Sequence, residues 1–348
     1  MEKLIAEEIQ SYEELWHERA FAGRKGRGAI DSIMLMAYIA EQHPAGAIVG
    51  RDAQSAFNSV RREHVWKILE NHVEAQIWID DWRSPRKFEM EVDGEVLGQV
   101  VMTGGTPQGS PLSPALFTIY MSSVVWEAEK RLAQRGGGRE LRAERRVSYW
   151  PLSFIDDVNG VRVGGEKEMD EALEGAAKEA GIKWDRDKDW KGNKGKHLGV
   201  VMQDQKRHQK YRCQKTKAAW EAVRRLSNLP AKGKRAILTQ QLLPILTYGC
   251  ELYPDPSEQQ SRLAYEMCRW TVGAYPGSRR GKVYALVGLS GIDTIMRNKR
   301  IRWAASVYAR HIPELKVVAE PILREILEED TEMRWLQGKN PGGEVKIR

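Results

Sequence analysis

Three aspartates carry the most chemistry in this 348-residue chain. Asp156 and Asp157 are adjacent, within Phe154-Ile155-Asp156-Asp157-Val158, and Asp52 closes the short apolar run Ala45-Gly46-Ala47-Ile48-Val49-Gly50 through Arg51. An Asp pair at a hairpin tip has an ordinary reading, because Asp favours turns. The flanks argue for more. Both runs read as buried strands, and if those strands are neighbours their carboxylates converge. Converging carboxylates repel unless cations neutralise them. Mg²⁺ suits such a site: it prefers oxygen ligands and takes one or two carboxylates with substrate phosphates. Two such ions about 4 Å apart serve the attacking and leaving oxygens of a phosphoryl transfer. An unrelated metal phosphatase or nuclease needs His or further acids near the pair, and none are evident there.

The elements that must position these acids follow from periodicity and turn chemistry. Residues 1–21 and 29–42 read as helices, separated by the basic turn Gly23-Arg24-Lys25-Gly26-Arg27-Gly28. Residues 61–82 read as helical. Residues 88–92 and 96–102 alternate around Asp93-Gly94, a hairpin signal. A Gly/Pro/Thr-rich loop over 103–114 precedes a long helix to about Leu132. Residues 151–163 read as strand, tight turn, strand, with the acid pair in the turn. A helix over 166–181 ends at Gly181, and short strands are expected near 182–184 and 197–202. From about 211 onward the chain reads as all-helical, with breaks at Pro230, Pro244, Pro254 and Pro276. The polar tail after Gly338 reads as disordered.

Charge and cysteine usage narrow the class. The net charge is +7, compatible with a nucleic-acid partner. Its distribution says more: Lys206 to Lys217 holds six Lys/Arg and no acid, which favours a phosphate-contacting surface over a solvated helix face. Cys213, Cys250 and Cys268 form no CxxC pair, so zinc knuckles and disulfide frameworks are not expected. No run of roughly 18 apolar residues exists, so no transmembrane helix is expected. The acidic N-terminus resembles neither signal nor transit peptide. A soluble, intracellular protein is expected.

With these residues in view, the sequence resembles the reverse transcriptases. Asp52-Ala53-Gln54-Ser55-Ala56-Phe57-Asn58 is similar to their first catalytic motif. Gly105-Thr106-Pro107-Gln108-Gly109-Ser110-Pro111-Leu112-Ser113-Pro114 is similar to their Pro-Gln-Gly motif, and Phe154-Ile155-Asp156-Asp157 to their aromatic-x-Asp-Asp box. Each alone is weak; the ordered set is specific. The subgroup it resembles is that of non-LTR (LINE-like) retrotransposons. Residues 21–31 resemble the fingers motif before the first aspartate, and His197-Leu198-Gly199-Val200 the primer-grip segment. Residues 243–251 and 268–275 resemble the thumb signature and the helix and turn after it.

The resemblance implies an α+β right-hand polymerase, with a palm of antiparallel sheet packed on helices, partial fingers and a helical thumb. The implied divisions are fingers over 1–44, palm over 45–205 with inserted helices and hairpin at 61–102, thumb over 206–310, and a C-terminal extension over 311–348. It implies RNA-directed DNA polymerase activity, adding dNTPs to a primer 3′-OH on an RNA template with a DNA primer. The implied cofactor is two Mg²⁺ ions, with Mn²⁺ a substitute. Asp52 and Asp156 would ligate both ions, with Asp157 the adjacent metal-site carboxylate and the Ala53 carbonyl completing a shell. Phe57 would crowd a ribonucleotide 2′-OH, or else is a plain core residue. Gln108 and Gly109 would lie against the dNTP and template base. Arg24, Lys25 and Arg27 would contact template or triphosphate, or form a solvated basic turn. Lys188 would sit near the leaving pyrophosphate, although its Asp-Arg-Asp-Lys-Asp setting departs from the family pattern.

Arg51 is another departure, where a small or apolar residue is commoner, and Asn58 replaces a frequent aspartate. The sequence shows no upstream endonuclease, no ribonuclease H domain and no earlier fingers motifs, so either a truncated copy or a sequence missing its upstream part is expected. An inactive or domesticated nucleic-acid-binding remnant is therefore the alternative. By family analogy the protein is expected in the nucleus, although the sequence shows no targeting signal.

Overall fold

The computed structural model describes residues 2–72, 84–107, 109–134, 147–192, 195–225 and 229–329. The fold is α+β, and the chain divides into two units, 1–32 with 38–197 and 33–37 with 198–348.

In the first unit, helices α1 (Glu2–Ile9) and α2 (Ala29–Gln42) precede β1 (Ala47–Asp52), α3 (Ala56–Ser59) and α4 (Arg62–Leu69). Then come β2 (Arg86–Val92) and β3 (Glu95–Met102), followed by α5 (Ser113–Gln134), β4 (Val147–Phe154), β5 (Asp157–Gly164) and α6 (Glu166–Ala180). Two short strands, β6 (Trp190–Lys191) and β7 (Lys196–His197), close it. A four-stranded sheet runs in the order β4-β5-β1-β6. β1 is antiparallel to both β5 and β6. Its two central strands are buried along most of their length. Val49 and Val158 meet Leu116, Phe117 and Tyr120 of α5 and Leu173 and Ala176 of α6 in one core. Helix α6 stops at Gly181, whose φ of 80° supplies the left-handed cap that a glycine adopts without steric cost.

Two expectations need correction here. The first helix ends at Ile9, not at residue 21. Leu15 and Trp16 are still buried, but through a short 3₁₀ turn at Glu13–Leu15. The chain then runs along β4, with Phe21 N–H donating to Ser153 O (3.0 Å) and Ser153 N–H to Arg19 O (3.1 Å). Pairing at the sheet edge thus overrides helical periodicity. Of the helix expected over 61–82, residues 62–69 form α4, while 73–83 lie outside the described residues. At 182–184 there is a single bridge, Ala53 to Trp184, instead of a strand.

The second unit contains the short strand β8 (Val200–Val201) and then helices. These are α7 (Gln205–Arg224), α8 (Ala231–Ile237), α9 (Leu243–Thr247), α10 (Glu258–Val272), α11 (Arg280–Val287), α12 (Ile292–Ala309) and α13 (Pro313–Glu329). Asp204 caps α7, accepting from Arg207 N–H (2.8 Å), and Ser257 with Gln260 forms a capping box on α10. Each cap stabilises its helix by about 1 kcal/mol. Leu238, Leu242, Leu246, Leu263, Met267 and Met296 form the centre of the core. Pro244 does not break the chain as expected. It sits in the first turn of α9, directly after a π-helical turn at Leu238–Leu242. A missing N–H is tolerated in a first turn, and the widened turn relaxes the i−4 register that a proline ring disrupts. All three cysteines are buried and free, and burial pushes the Cys250 and Cys268 thiols up to about 12.

Candidate active site

The acids meet where β1 ends and the β4–β5 hairpin turns. In the β1–β5 register Asp52 is the partner of Asp157. Cross-strand partners in an antiparallel pair project from one face of the sheet. Asp156 lies in the turn, not beside Asp157 within it, because Asp157 already opens β5. Its carbonyl accepts from Ala53 N–H (2.9 Å), which pins the turn to the residue after Asp52. The turn also carries strain. Ile155 has φ 53°, a left-handed conformation that β-branched side chains resist.

Electrostatics at this end of the sheet are unbalanced. Burial, then Asp156 and Asp52, push the Asp157 carboxyl up to about 7. Asp156 is raised as well, by burial first and then by the Asp52 charge. The opposing cation is Lys188, whose Nζ lies 2.7 Å from Asp52 Oδ1 and 3.5 Å from Asp185 Oδ2. Asp52 in turn holds the exposed Lys188 ammonium up. The segment bearing Lys188 is stitched to the end of β1 through its backbone. Gln54 N–H donates to Lys183 O and Asp185 N–H to Asp52 O, both at 2.8 Å.

Arg51 completes this scaffold. It is 6% exposed, beside an acid in a strand, and pairs with Asp170 and, at 3.0 Å, with Glu174 of α6. It also reaches Asp189 at 4.0 Å, and Arg186 pairs with the same Glu174. A buried guanidinium requires such partners. Sequence reasoning flagged Arg51 as unusual but found no partner for it. Asp170 and Glu174 are visible as two acids four apart on one helix face, but nothing in the sequence brings that face to Arg51. His197 was likewise missed as a tie. The Asn159 amide donates to its Nδ1 (2.8 Å), which leaves Nε2–H to donate to Ser32 Oγ (2.8 Å). Burial pushes this imidazole down to about 3, so it is neutral at working pH.

The remaining candidates are distributed as follows. Ala53 is buried at the end of β1. Phe57 is half-buried on α3 and packs against Phe117, with ring centroids 5.5 Å apart. Gly105 anchors the following loop to α3: its N–H donates to Val60 O (2.9 Å), and a side chain there would stand 2.8 Å from Phe57 O. Gly109 has φ 88° with open space around it. Gln108 lies outside the described residues. Arg24 is turned onto Glu13 and the His17 carbonyl. Arg27 lies over the Phe21 ring at 5.5 Å and donates to Glu18 O, while Lys25 is exposed.

The donor set suits a hard divalent cation: carboxylate oxygens, partly buried, with more negative charge than Lys188 offsets. The side chains do not stand closed around an ion. Among the described residues no three His, Cys, Asp or Glu groups are gathered for ligation.

Comparison with known proteins gives the family. Residues 1–189 match the family model described as "Reverse transcriptase (RNA-dependent DNA polymerase)". The chain belongs to the reverse transcriptase family. No curated protein matches it. Among solved structures it is similar to the telomerase from Candida albicans, determined in complex with the TWJ fragment of telomeric RNA. The identity is 12% and the TM-score 0.40, over 98% of this chain and 59% of that one. The chain thus spans about three fifths of that chain's length.

Proposed function

We propose that the chain is the polymerase core of a non-LTR retrotransposon reverse transcriptase, adding dNTPs to a primer 3′-OH on an RNA template. The observation that carries this reading is the opposition of Asp52 and Asp157 across β1 and β5, with the Asp156 carbonyl bonded to Ala53 N–H. The subgroup rests on the similarity of residues 21–31 and 243–251 to its fingers and thumb segments. On this reading the first unit supplies fingers and palm, the second supplies the thumb, and the protein works in the nucleus.

Asp52 and Asp156 would hold two Mg²⁺ ions, with Asp157 as the neighbouring carboxylate. When bound, those ions supply Lewis-acid stabilisation of the attacking and leaving oxygens. Asp157, with its carboxyl near 7, adds negative charge as it ionises and so strengthens the site's hold on cations. Lys188 presents an ammonium beside Asp52, a donor for the charge that builds on the departing pyrophosphate. Phe57, braced by Phe117, presents its ring to the sugar of the incoming nucleotide. Gly109 leaves its backbone open to the base pair.

Primer extension tests the proposal, with the purified chain, an RNA template, a DNA primer, dNTPs and Mg²⁺ or Mn²⁺. Extension is expected, and Asp156→Ala is expected to reduce it roughly a thousand-fold. Extension that survives Asp156→Ala sinks the assigned site. Salt-sensitive binding without extension by the unmodified chain establishes the nucleic-acid-binding remnant instead.

A further inference from the structure

The helical unit carries an aromatic and cationic feature that the polymerase reading does not use. Where α7 ends, a cavity of about 510 Å³ is lined by Trp220, Arg224, Lys234, Arg269 and Trp270, together with Glu266. Arg224 lies over the Trp220 ring at 5.7 Å, and Lys234 over the Trp270 ring at 5.3 Å. Glu266 is taken by Arg262 at 3.1 Å. Among the described residues no carboxylate pairs with Arg224, Lys234 or Arg269, so three cations share a cavity whose one carboxylate, Glu266, is already paired with Arg262. That arrangement costs self-repulsion and is relieved by a polyanion.

Two further observations specify the polyanion. Tyr275 lies between the lining residues Ala274 and Pro276 and is 84% exposed. Its turn is fixed: Gly273 closes α10 at φ 66°, Ala274 N–H donates to Arg269 O (3.1 Å), and Ser278 N–H donates to Tyr275 O (3.2 Å). A large ring held in solvent by a fixed turn is a contact surface rather than a folding unit. The second observation is on α7. Lys206, Lys210, Lys217 and Arg224 fall within about 40° of one another at 100° per residue, a stripe about 27 Å long. The three lysines are exposed and unpaired with any carboxylate among the described residues. The stripe runs directly into the tryptophan-lined cavity.

We propose that this cavity is a stacking site for the bases of single-stranded nucleic acid, with the α7 stripe as its phosphate track. Aromatic faces take any base, and a basic groove follows the backbone, which together bind a strand without reading its sequence. A duplex keeps its bases stacked on each other and offers none to the indoles. An acidic peptide satisfies the charge but supplies no series of planar rings. The site therefore binds a single-stranded segment in addition to any primer–template duplex, and it does so whether or not the chain polymerises.

The test uses the full chain and fluorescence anisotropy. Labelled oligouridylate and oligothymidylate separate RNA from DNA as the source of the strand. A blunt duplex, inorganic polyphosphate and a tyrosine-containing acidic peptide serve as comparison ligands. Both single strands are expected to bind. Trp220→Leu with Trp270→Leu weakens them about ten-fold or more, while polyphosphate binding is unchanged. Trp270→Phe restores most of the single-substitution loss, and Arg224→Gln lowers the salt slope by about one. Photocrosslinking of 4-thiouridine-substituted oligouridylate to the unmodified chain covers the case in which the double variant fails to fold. Adducts are expected in the peptides holding Trp220, Trp270 or Tyr275. Adducts confined to other helices, indifference of the strands to the tryptophan changes, or equally tight capture of the peptide overturns the proposal. Extension of a primer by one nucleotide is expected to be unaffected by Trp270→Leu, so this site and the polymerase assignment fail separately.

Discussion

Two antiparallel hairpins in the first unit reverse the usual link between composition and burial. The β2–β3 hairpin is rich in large apolar residues, yet Met90, Val96, Leu97 and Val100 are all more than half exposed. The β4–β5 hairpin carries the acid pair, and its β5 strand is buried along most of its length. The tips differ in the same sense. Asp93-Gly94 has φ 52° and 84°, the residue types that a left-handed turn prefers. Ile155 takes a comparable φ of 53° against its side chain's preference. One hairpin has relaxed geometry and an unburied apolar surface. The other holds strain and partly buried acids, and the core around it keeps both in place. Strain and unpaired charge persist only where surrounding structure over-determines them, which is why the second hairpin is the better candidate for function.

The contrast is sharpest at the two tips. Asp156→Ala is expected to reduce primer extension roughly a thousand-fold, because several kcal/mol of transition-state stabilisation are lost if the proposed metal ligand is removed. Asp93→Ala, in the other tip, is expected to leave extension within about two-fold, since it touches no acid of the site. Comparable losses from both changes, measured as single-turnover rates, would remove the distinction between the hairpins.

Asp157 makes the same contrast depend on pH. Its carboxyl titrates near 7 in the folded chain, against an ordinary value of 3.8. Between those values the folded state keeps a proton that the unfolded chain has released. The proton's stabilising effect is fully present below about pH 4, fades as pH rises toward 7, and is gone above it. The melting temperature in the absence of divalent ions is therefore expected to fall by several degrees from pH 5 to pH 8. Asp157→Asn should flatten that slope, and Mg²⁺ should raise the melting temperature more at pH 8 than at pH 5. A slope unchanged in Asp157→Asn assigns the titration to another group.

Arg51 tests how the buried hairpin is held. Arg51→Met leaves Glu174 and Asp189 with Arg186 alone, and Asp170 without the cation it pairs with. Because those acids are a quarter or more exposed, the loss is discounted to about 2 kcal/mol in urea unfolding. Extension is expected to fall about ten-fold, because the Lys188 segment loses an anchor beside Asp52. The double change Arg51→Met with Glu174→Gln should cost less than the sum of the two single changes. Strict additivity would mean that the two side chains do not act together.

These differences mark what could be read from sequence. Helix α2, both hairpins and the glycine stop after α6 follow from local pattern and turn chemistry, so they were legible. The neighbouring of β1 and β5 was a condition of the sequence argument, and the register Asp52 to Asp157 meets that condition. The break after Ile9 was not legible, because pairing of residues 19–21 with Ser153 depends on a contact more than a hundred residues away. The run through Pro244 depends on a π turn that no residue pattern announces. The Arg51 partners come from a helix over a hundred residues later, and the exposure of β2–β3 depends on what fails to cover it.

The smallest expected effect isolates that last point. Val100 and Val158 are both strand valines, 66% and 1% exposed. Val158→Thr places a hydroxyl in the core of Leu116, Phe117 and Leu173. It is expected to cost about 1 to 3 kcal/mol, since the hydroxyl loses water without gaining a strong partner. Val100→Thr exchanges a methyl for a hydroxyl that water satisfies, and Thr is nearly as good a strand former. It faces Phe88, so the cross-strand pair weakens, but the net change in urea unfolding is expected to stay within about 0.5 kcal/mol. Equal costs at the two positions would mean that something covers β3 in solution, and the hairpin's apolar face would then be an interface rather than an open surface.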